Sequence, residues 1–381
     1  SWDTESTCNI TGVTGTVPSG LNQSFGNFTW NCTGQSGNIL LGASLTTVNG
    51  NFTVSSTKTS QLILTNGTAN TLTVGKDFSM TGGTLNFNSG TGASVMNVAG
   101  NFSHTGGTIT ETSTGTGSVV FNGSSAQTYT SGGTCANTIH FTVNSGATLL
   151  MANETTVVGN GSNGTFTLNA NGTLGVTSVD GITTTGATGN IRVSGTRTYT
   201  AGANYIYNGI NPQAAGNGLT QNSPVNNLTI NNSSGVSLSA ATTISGNLTL
   251  TEGALSTSTV NPAYLLTITN TSNSAISGGS ATAFIEGAVL WNLPVLATGT
   301  VYQFPVGKGS TYLPFTLVNP TTSGTSSAKV EAFSSNCGGS ADGTTLSSIS
   351  TSEYWSLVTG TNFTNSSVTL AKAIAVAPME D

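Results

Sequence analysis

Asn27-Phe28-Thr29-Trp30 returns three times along the chain, as Asn51-Phe52-Thr53-Val54, Asp77-Phe78-Ser79-Met80 and Asn101-Phe102-Ser103-His104. The phenylalanines recur at near-constant intervals, from 28 to 52, from 52 to 78 and from 78 to 102. A fixed period in this range marks a repeat architecture. Two alternating pairs travel with each phenylalanine. Thr46 and Val48, Leu72 and Val74, and Met96 and Val98 come just before the later quartets. Ile39 and Leu41, Leu62 and Leu64, and Leu85 and Phe87 come before those. A spacing of two places both members of a pair on one face of a strand. One repeat therefore holds three short strands, separated by Gly, Asn, Thr and Ser, the residues of tight turns.

Winding the chain once per repeat stacks like strands in parallel at about 4.8 Å. The expected fold is all-β: a right-handed parallel β-solenoid, or β-helix, of about 24 residues per coil. Phe28, Phe52, Phe78 and Phe102 become an internal ladder, each contributing roughly 1.5–3 kcal/mol on burial. Thr-Gly-Gly-Thr at 81–84 and again at 105–108 gives the same register independently of the phenylalanines. A coil has one inside and one outside, so alternation survives although the sheets are parallel. A parallel sheet covered on both faces would read as continuous apolar runs.

Composition supports this reading. Charged residues make up 5% of the 381-residue chain and glycine supplies 50 positions, against about 25% charge in an ordinary globular protein. Disordered chains lack spaced apolar pairs and usually carry high charge. Uncharged polar faces suit stacked coils, where like charges on adjacent rungs would repel. The net charge is −6, and the seven Lys and Arg residues do not cluster, so the basic footprint of a nucleic-acid binder is missing. No apolar run is long enough to span a membrane. The chain opens on Ser1 rather than Met, from which a removed secretion signal is expected. Cys8 and Cys32 repeat the spacing of Phe28 and Phe52. If the first coil matches the next in length, they fall on neighbouring rungs within reach of a disulfide. Cys135 and Cys337 lie in other regions and are left unpaired. No Cys/His spacing suggests a metal site, and no cofactor is implied.

Residues 1–35 read as an amino-terminal cap and first coil, because a solenoid end needs covering. Residues 36–280 read as the solenoid, clearest up to 122. The vocabulary changes near 280, with Trp291, Phe304-Pro305-Val306-Gly307, Tyr312-Leu313-Pro314-Phe315 and Glu353-Tyr354-Trp355. Residues 281–381 read as a β-sandwich-like domain.

Chemistry is scarce. His104 holds the place that Val54 and Met80 hold in earlier coils. No second His or carboxylate shares its column, so it reads as a satisfied wall residue rather than a ligand or pH switch. Arg192, Arg197, Tyr199, Tyr205 and Tyr207 fall together where the period breaks. They form the best candidate for a binding face, because Tyr and Arg are favoured at interfaces. The plainer alternative is an irregular coil with its tyrosines packed. The acidic residues of the solenoid do not pair at strand spacing or one coil apart, so the two placed carboxylates of a polysaccharide-acting β-helix enzyme are missing. Asn-x-Ser/Thr recurs, at Asn27, Asn51 and Asn101 among others, and reads as glycosylation sites or as an uncharged outer face. Thr29, Thr53, Ser79 and Ser103 would line up outside as in ice-binding solenoids, but with Asn beside them rather than a second threonine column.

One part of the chain carries a resemblance. Thr196-Arg197-Thr198-Tyr199, Ala203-Asn204-Tyr205-Ile206-Tyr207-Asn208-Gly209, Gly216-Asn217-Gly218-Leu219 and Val225-Asn226-Asn227-Leu228-Thr229-Ile230 resemble large secreted surface proteins of Bacteroidetes. Phe304-Pro305-Val306-Gly307 with Tyr312-Leu313-Pro314 is similar to the domain that often follows in them. The resemblance implies export through the type IX secretion pathway, a cell-surface or extracellular location, and roles in adhesion or matrix. Such proteins usually end in a carboxy-terminal sorting domain, which this sequence does not show. The expected function is a structural or adhesive surface protein that is not an enzyme. Its expected partners are further copies of itself or surface glycans.

Overall fold

The computed structural model describes residues 2–258, 263–297, 299–340 and 349–371. Every regular element among them is a β-strand. None is a helix able to cross a membrane. The chain divides into two compact units, Ser1–Tyr205 and Ile206–Asp381.

In the first unit the regular coils give strands to three parallel sheets, as the alternating pairs require, and the third sheet stops at Thr134–Cys135 while the other two continue. The first sheet runs through Thr7–Ile10, Asn27–Asn31, Phe52–Ser56, Phe78–Met80, Phe102–His104, Gln127–Ser131, Thr148–Met151 and Thr173–Val176. The second runs through Thr47–Val48, Asn70–Val74, Ala93–Val98, Thr116–Phe121, Ile139–Val143, Phe166–Leu168 and Arg197–Tyr199. The third holds Ile39–Leu40, Leu62–Thr65, Thr84–Asn88, Thr108–Thr110 and Thr134–Cys135. Stacking in register places like residues above one another. Phe28 pairs with Phe52, Phe52 with Phe78, Phe78 with Phe102 and Phe102 with Tyr129. Successive ring centroids along this column are 6.0, 5.5, 4.8 and 5.0 Å apart, within the range of favourable aromatic pairs. All five rings are buried.

The Thr-Gly-Gly-Thr turns show why glycine repeats with the coil. Gly83 and Gly107 have φ of +80° and +78°, which only glycine adopts freely. A Cβ on Gly107 would lie 2.5 Å from the Gly83 carbonyl oxygen. Both the backbone angle and the close stacking therefore forbid a side chain there.

The second unit has its own parallel strands on three faces. Leu228–Asn231, Leu248–Glu252 and Ile276–Gly278 form one face. Gln213–Ala214, Val236–Ser237, Leu255–Ser256, Ile285–Glu286 and Val306–Lys308 form the second. Thr242–Ile244, Leu266–Ile268 and Val289–Leu293 form the third. Parallel stacking thus continues through Val306–Lys308, and the boundary expected at 280 is corrected. Trp291 and Phe304-Pro305-Val306-Gly307 belong in part to closing coils. Beyond them pairing turns antiparallel. Ser326–Phe333 lies between Val289–Leu293 and Tyr354–Thr359. Phe315–Thr322 lies between Val301–Phe304 and Phe363–Leu370. The two antiparallel sheets share an aromatic core. Trp291 packs edge-on to Tyr302 at 5.1 Å and Phe304 at 5.3 Å, and Phe304 meets Phe315 at 6.3 Å. This is the sandwich-like part of the chain. Residues 341–348 and 372–381 of the expected domain lie outside the described residues.

Candidate functional site

The Arg/Tyr cluster sits where one coil is longer than its neighbours. Phe166 pairs with Phe141 on one side and Arg197 on the other. The step from 166 to 197 is longer than the step from 141 to 166. The extra length forms an excursion ahead of Arg197–Tyr199. Arg197 occupies the inward position that phenylalanine holds on the two preceding rungs, and it is 2% exposed. Its guanidinium is taken up by the excursion. Nη1 donates to the Thr183 carbonyl at 3.2 Å and to Thr183 Oγ1 at 2.7 Å. Nε and Nη2 donate to the Val193 carbonyl, each at 3.2 Å, and Nη2 also reaches the Gly186 carbonyl. Tyr199 donates from its hydroxyl to the Thr183 carbonyl at 3.0 Å. Burial lowers the affinity of Arg197 for its proton, Tyr199 opposes that, and Arg192 adds to it. Burial pushes the Tyr199 and Tyr205 hydroxyls far above their ordinary range, with the Arg197 charge pulling Tyr199 back.

The expected binding face is therefore corrected. Tyr199 and Tyr205 are buried in the first unit. Tyr207 is buried in the second and donates to the Ala215 carbonyl at 2.6 Å. Their hydroxyls and rings serve packing. Arg192 alone of the five is half-exposed, with Nε donating to the Gly189 carbonyl at 3.0 Å. With Arg197 it lines an open depression of about 330 Å³ with Asn160, Gly186, Ala187 and Ser194.

The expected Cys8–Cys32 bridge is also corrected. Cys8 is in register with Phe28, so the first coil runs only from 8 to 28 and is shorter than the next, from 28 to 52. Cys32 then lies beyond Phe28 along the strand direction, about 13 Å from the Cys8 position at roughly 3.3 Å per residue. That exceeds the reach of a disulfide. Cys32 Sγ instead faces the Ile10 carbonyl at 3.4 Å. All four cysteines are free thiols.

Outside the first sheet runs a column that the sequence reading missed. The Asn27 side-chain oxygen accepts from the Asn51 backbone N–H at 2.9 Å, and Asn51 Oδ1 from the Asp77 N–H at 3.1 Å. Asp77 Oδ1 accepts from the Asn101 N–H at 2.7 Å, and Asn101 Oδ1 from the Thr128 N–H at 2.8 Å. Each side chain satisfies a backbone donor on the next rung at a corner where strand pairing has not begun. In sequence these residues fit glycosylation sites or plain surface. Their signal was present, because they precede the phenylalanines and share their spacing. Next to the column, Thr29, Thr53, Ser79, Ser103 and Thr130 form one line of hydroxyls.

Ionisable groups are sparse elsewhere. The described residues contain no group of three or more His, Cys, Asp or Glu side chains that could hold a metal ion. Lys76–Glu5 at 3.6 Å and Lys308–Glu286 at 3.4 Å are ion pairs at the surface, where such pairs add little. His104 is buried at the inner wall. In comparisons with known proteins, no family model matches the chain, and no curated protein or solved structure is significantly similar to it.

Proposed function

We propose that this is an extracellular structural or adhesive surface protein. Its coil stack acts as a stiff support that carries a binding face or joins further copies into a fibre. The observation that carries the reading is the continuous parallel stacking of the first unit, from Thr7–Ile10 to Thr173–Val176 in one sheet and from Thr47–Val48 to Arg197–Tyr199 in another. Its polar side chains are used for structure. Asn27, Asn51, Asp77 and Asn101 tie rung to rung, and Arg197 holds an excursion. What remains outside is a regular, nearly uncharged surface of Thr, Ser and Asn. Such a stack suits mechanical support, because each coil is held by its neighbours. The resemblance to secreted Bacteroidetes surface proteins supports an extracellular location and type IX export, with glycans or further copies of the chain as partners. The sparse, dispersed carboxylates support a non-catalytic role.

The test is negative-stain microscopy of the purified chain over a dilution series, with light scattering in parallel. Filaments that persist on dilution support the fibre form of the reading. Monodisperse particles that bind arrayed cell-surface or matrix glycans support the adhesive form. Monodisperse particles that bind neither, yet cleave a polysaccharide, overturn both.

A further inference from the structure

Glu111 follows the strand Thr108–Thr110 at a corner of the first unit, and only 2% of the residue is exposed. Its Oε1 accepts a hydrogen bond from the Ser113 backbone N–H. Neither of the surface ion pairs Lys76–Glu5 and Lys308–Glu286 involves it, and no Lys, Arg or His among the described residues forms an ion pair with it. A buried carboxylate without a compensating charge is costly.

Glu111 lines a depression of about 380 Å³ together with Thr112, Ser113, Asn137, Thr138 and Asn163. Every one of these side chains carries an oxygen. Neighbouring bonds hold several oxygens free to accept. Asn137 Nδ2 donates to Thr110 Oγ1 at 2.9 Å, which leaves its carbonyl oxygen as the unengaged end of the amide. Asn86 Nδ2 donates to Thr112 Oγ1 at 2.7 Å and fixes that hydroxyl. Asn163 Oδ1 accepts from Ser194 Oγ at 3.0 Å and keeps a second lone pair. Glu111, Asn137 and Asn163 come from successive coils, since Ile109 pairs with Cys135 and the Asn163 N–H bonds the Asn137 carbonyl.

We propose that this corner binds a calcium ion. Glu111 supplies the charge, and oxygens of Thr112, Asn137 and Asn163 join water in the coordination shell. Calcium takes six to eight oxygen ligands in flexible geometry, including neutral amide oxygens, whereas magnesium demands a near-ideal octahedron. The lining offers neither thiolate nor imidazole, so softer metals are disfavoured. A single carboxylate places the affinity in the range of extracellular modules, about 10⁻⁴–10⁻³ M. The bound ion ties three rungs together and neutralises the buried charge. The site is independent of whether the chain is adhesive or fibre-forming.

The test is calorimetric titration of the full chain with calcium chloride after EGTA treatment, with magnesium as the comparison and thermal melts in calcium and in EGTA. The expected result is sub-millimolar to millimolar calcium binding and a melting temperature a few degrees higher at tenfold excess over Kd. Glu111→Gln abolishes both and melts no lower than the parent in EGTA. Asn137→Asp adds a second carboxylate and tightens calcium binding at least tenfold. The proposal is overturned if the parent takes up no calcium at millimolar concentration, or if Glu111→Gln binds as the parent does. Should Glu111→Gln fail to fold, an unchanged affinity in Asn137→Asp overturns it alone.

Discussion

Cys135 Sγ lies 4.0 Å from His104 Nδ1 inside the first unit, and His104 Nε2 lies 3.3 Å from the Gly107 carbonyl oxygen. The two contacts fit one neutral tautomer, with Nε2–H donating to the carbonyl and Nδ1 accepting from the weak thiol donor. Both side chains are buried. Burial pulls the imidazole down to about 4, opposed by the bond to Gly107. Burial pushes the Cys135 thiol up to about 12, opposed by a backbone bond from Gly159. The pair is a neutral contact of the coil wall.

Acid should therefore destabilise the coil through His104. An unfolded histidine takes its proton near 6.5, whereas the folded one resists until about 4. Its contribution is intact above 6.5 and is lost as pH falls from 6.5 to 4, to a limit of about 3 kcal/mol. His104→Met, which copies Met80 one rung earlier, should flatten the stability profile over that interval. Urea unfolding at pH 7, 5.5 and 4 measures the difference. Parallel profiles for parent and variant would remove the argument.

Phe52 lies between Phe28 and Phe78, with ring centroids at 6.0 and 5.5 Å. Phe52→Ala opens a cavity touching two coils and should cost about 3–5 kcal/mol. Phe52→Asp places an unpaired carboxylate there and should abolish soluble folding. Thr53→Ala on the outer face should change stability by no more than about 0.5 kcal/mol. Thermal melts decide between them, and a Phe52→Asp protein that melts like the parent would refute the ladder.

The coil stack was legible in the sequence because its signal repeats. A phenylalanine, a strand pair and a glycine turn return together at one spacing, and each enforces the others. Features that occur once were not legible. The interval between Cys8 and Cys32 matches that between Phe28 and Phe52, but the first coil is shorter, running from 8 to 28, and this offset slides the thiols apart. Arg197 looked like a surface group because it is charged. Its inward position became readable only once Phe141, Phe166 and Arg197 were seen in register. The asparagine column was hidden by chemistry rather than by spacing. Asn before Phe and Thr fits a glycosylation acceptor and a rung-to-rung hydrogen-bond acceptor equally well.

Asp77 tests that column directly. It stands in line with Asn51 and Asn101 and accepts the Asn101 N–H at 2.7 Å. Either a carboxylate or an amide oxygen can make this bond, so Asp77→Asn should leave stability almost unchanged. Asp77→Ala removes the acceptor and should cost about 1 kcal/mol, with faster amide exchange at Asn101. Exchange monitored by mass spectrometry reads the local effect. Equal behaviour of the two variants would mean that the corner is held by strand pairing alone.

Arg197 separates local from global stability. Its donors hold the Thr183, Gly186 and Val193 carbonyls. The buried Asn190 amide and the Val158–Ile191 bridge tie the later part of the excursion to the coil before it, so the guanidinium acts chiefly on the part around Thr183 and Gly186. Arg197→Lys keeps the charge but not the planar fork, and one ammonium cannot reach three separated carbonyls in the same geometry. Arg197→Leu fills the inward position that Phe166 holds below it, yet takes this donor from the Gly186 and Val193 carbonyls and leaves the Thr183 carbonyl to Tyr199 alone. Both variants should release that part of the excursion. Amide exchange across residues 182–188 should quicken at least tenfold, while residues 190–195, paired to the coil before them, keep their protection, and a nonspecific protease should cut first within 182–188. The Phe28-to-Tyr129 column lies outside the excursion's own coil and should keep its protection, because stacked repeats transmit stability chiefly to their neighbours. If protection falls equally across the unit, Arg197 instead supports the whole stack. If it falls nowhere, the excursion is held by contacts other than those of its guanidinium.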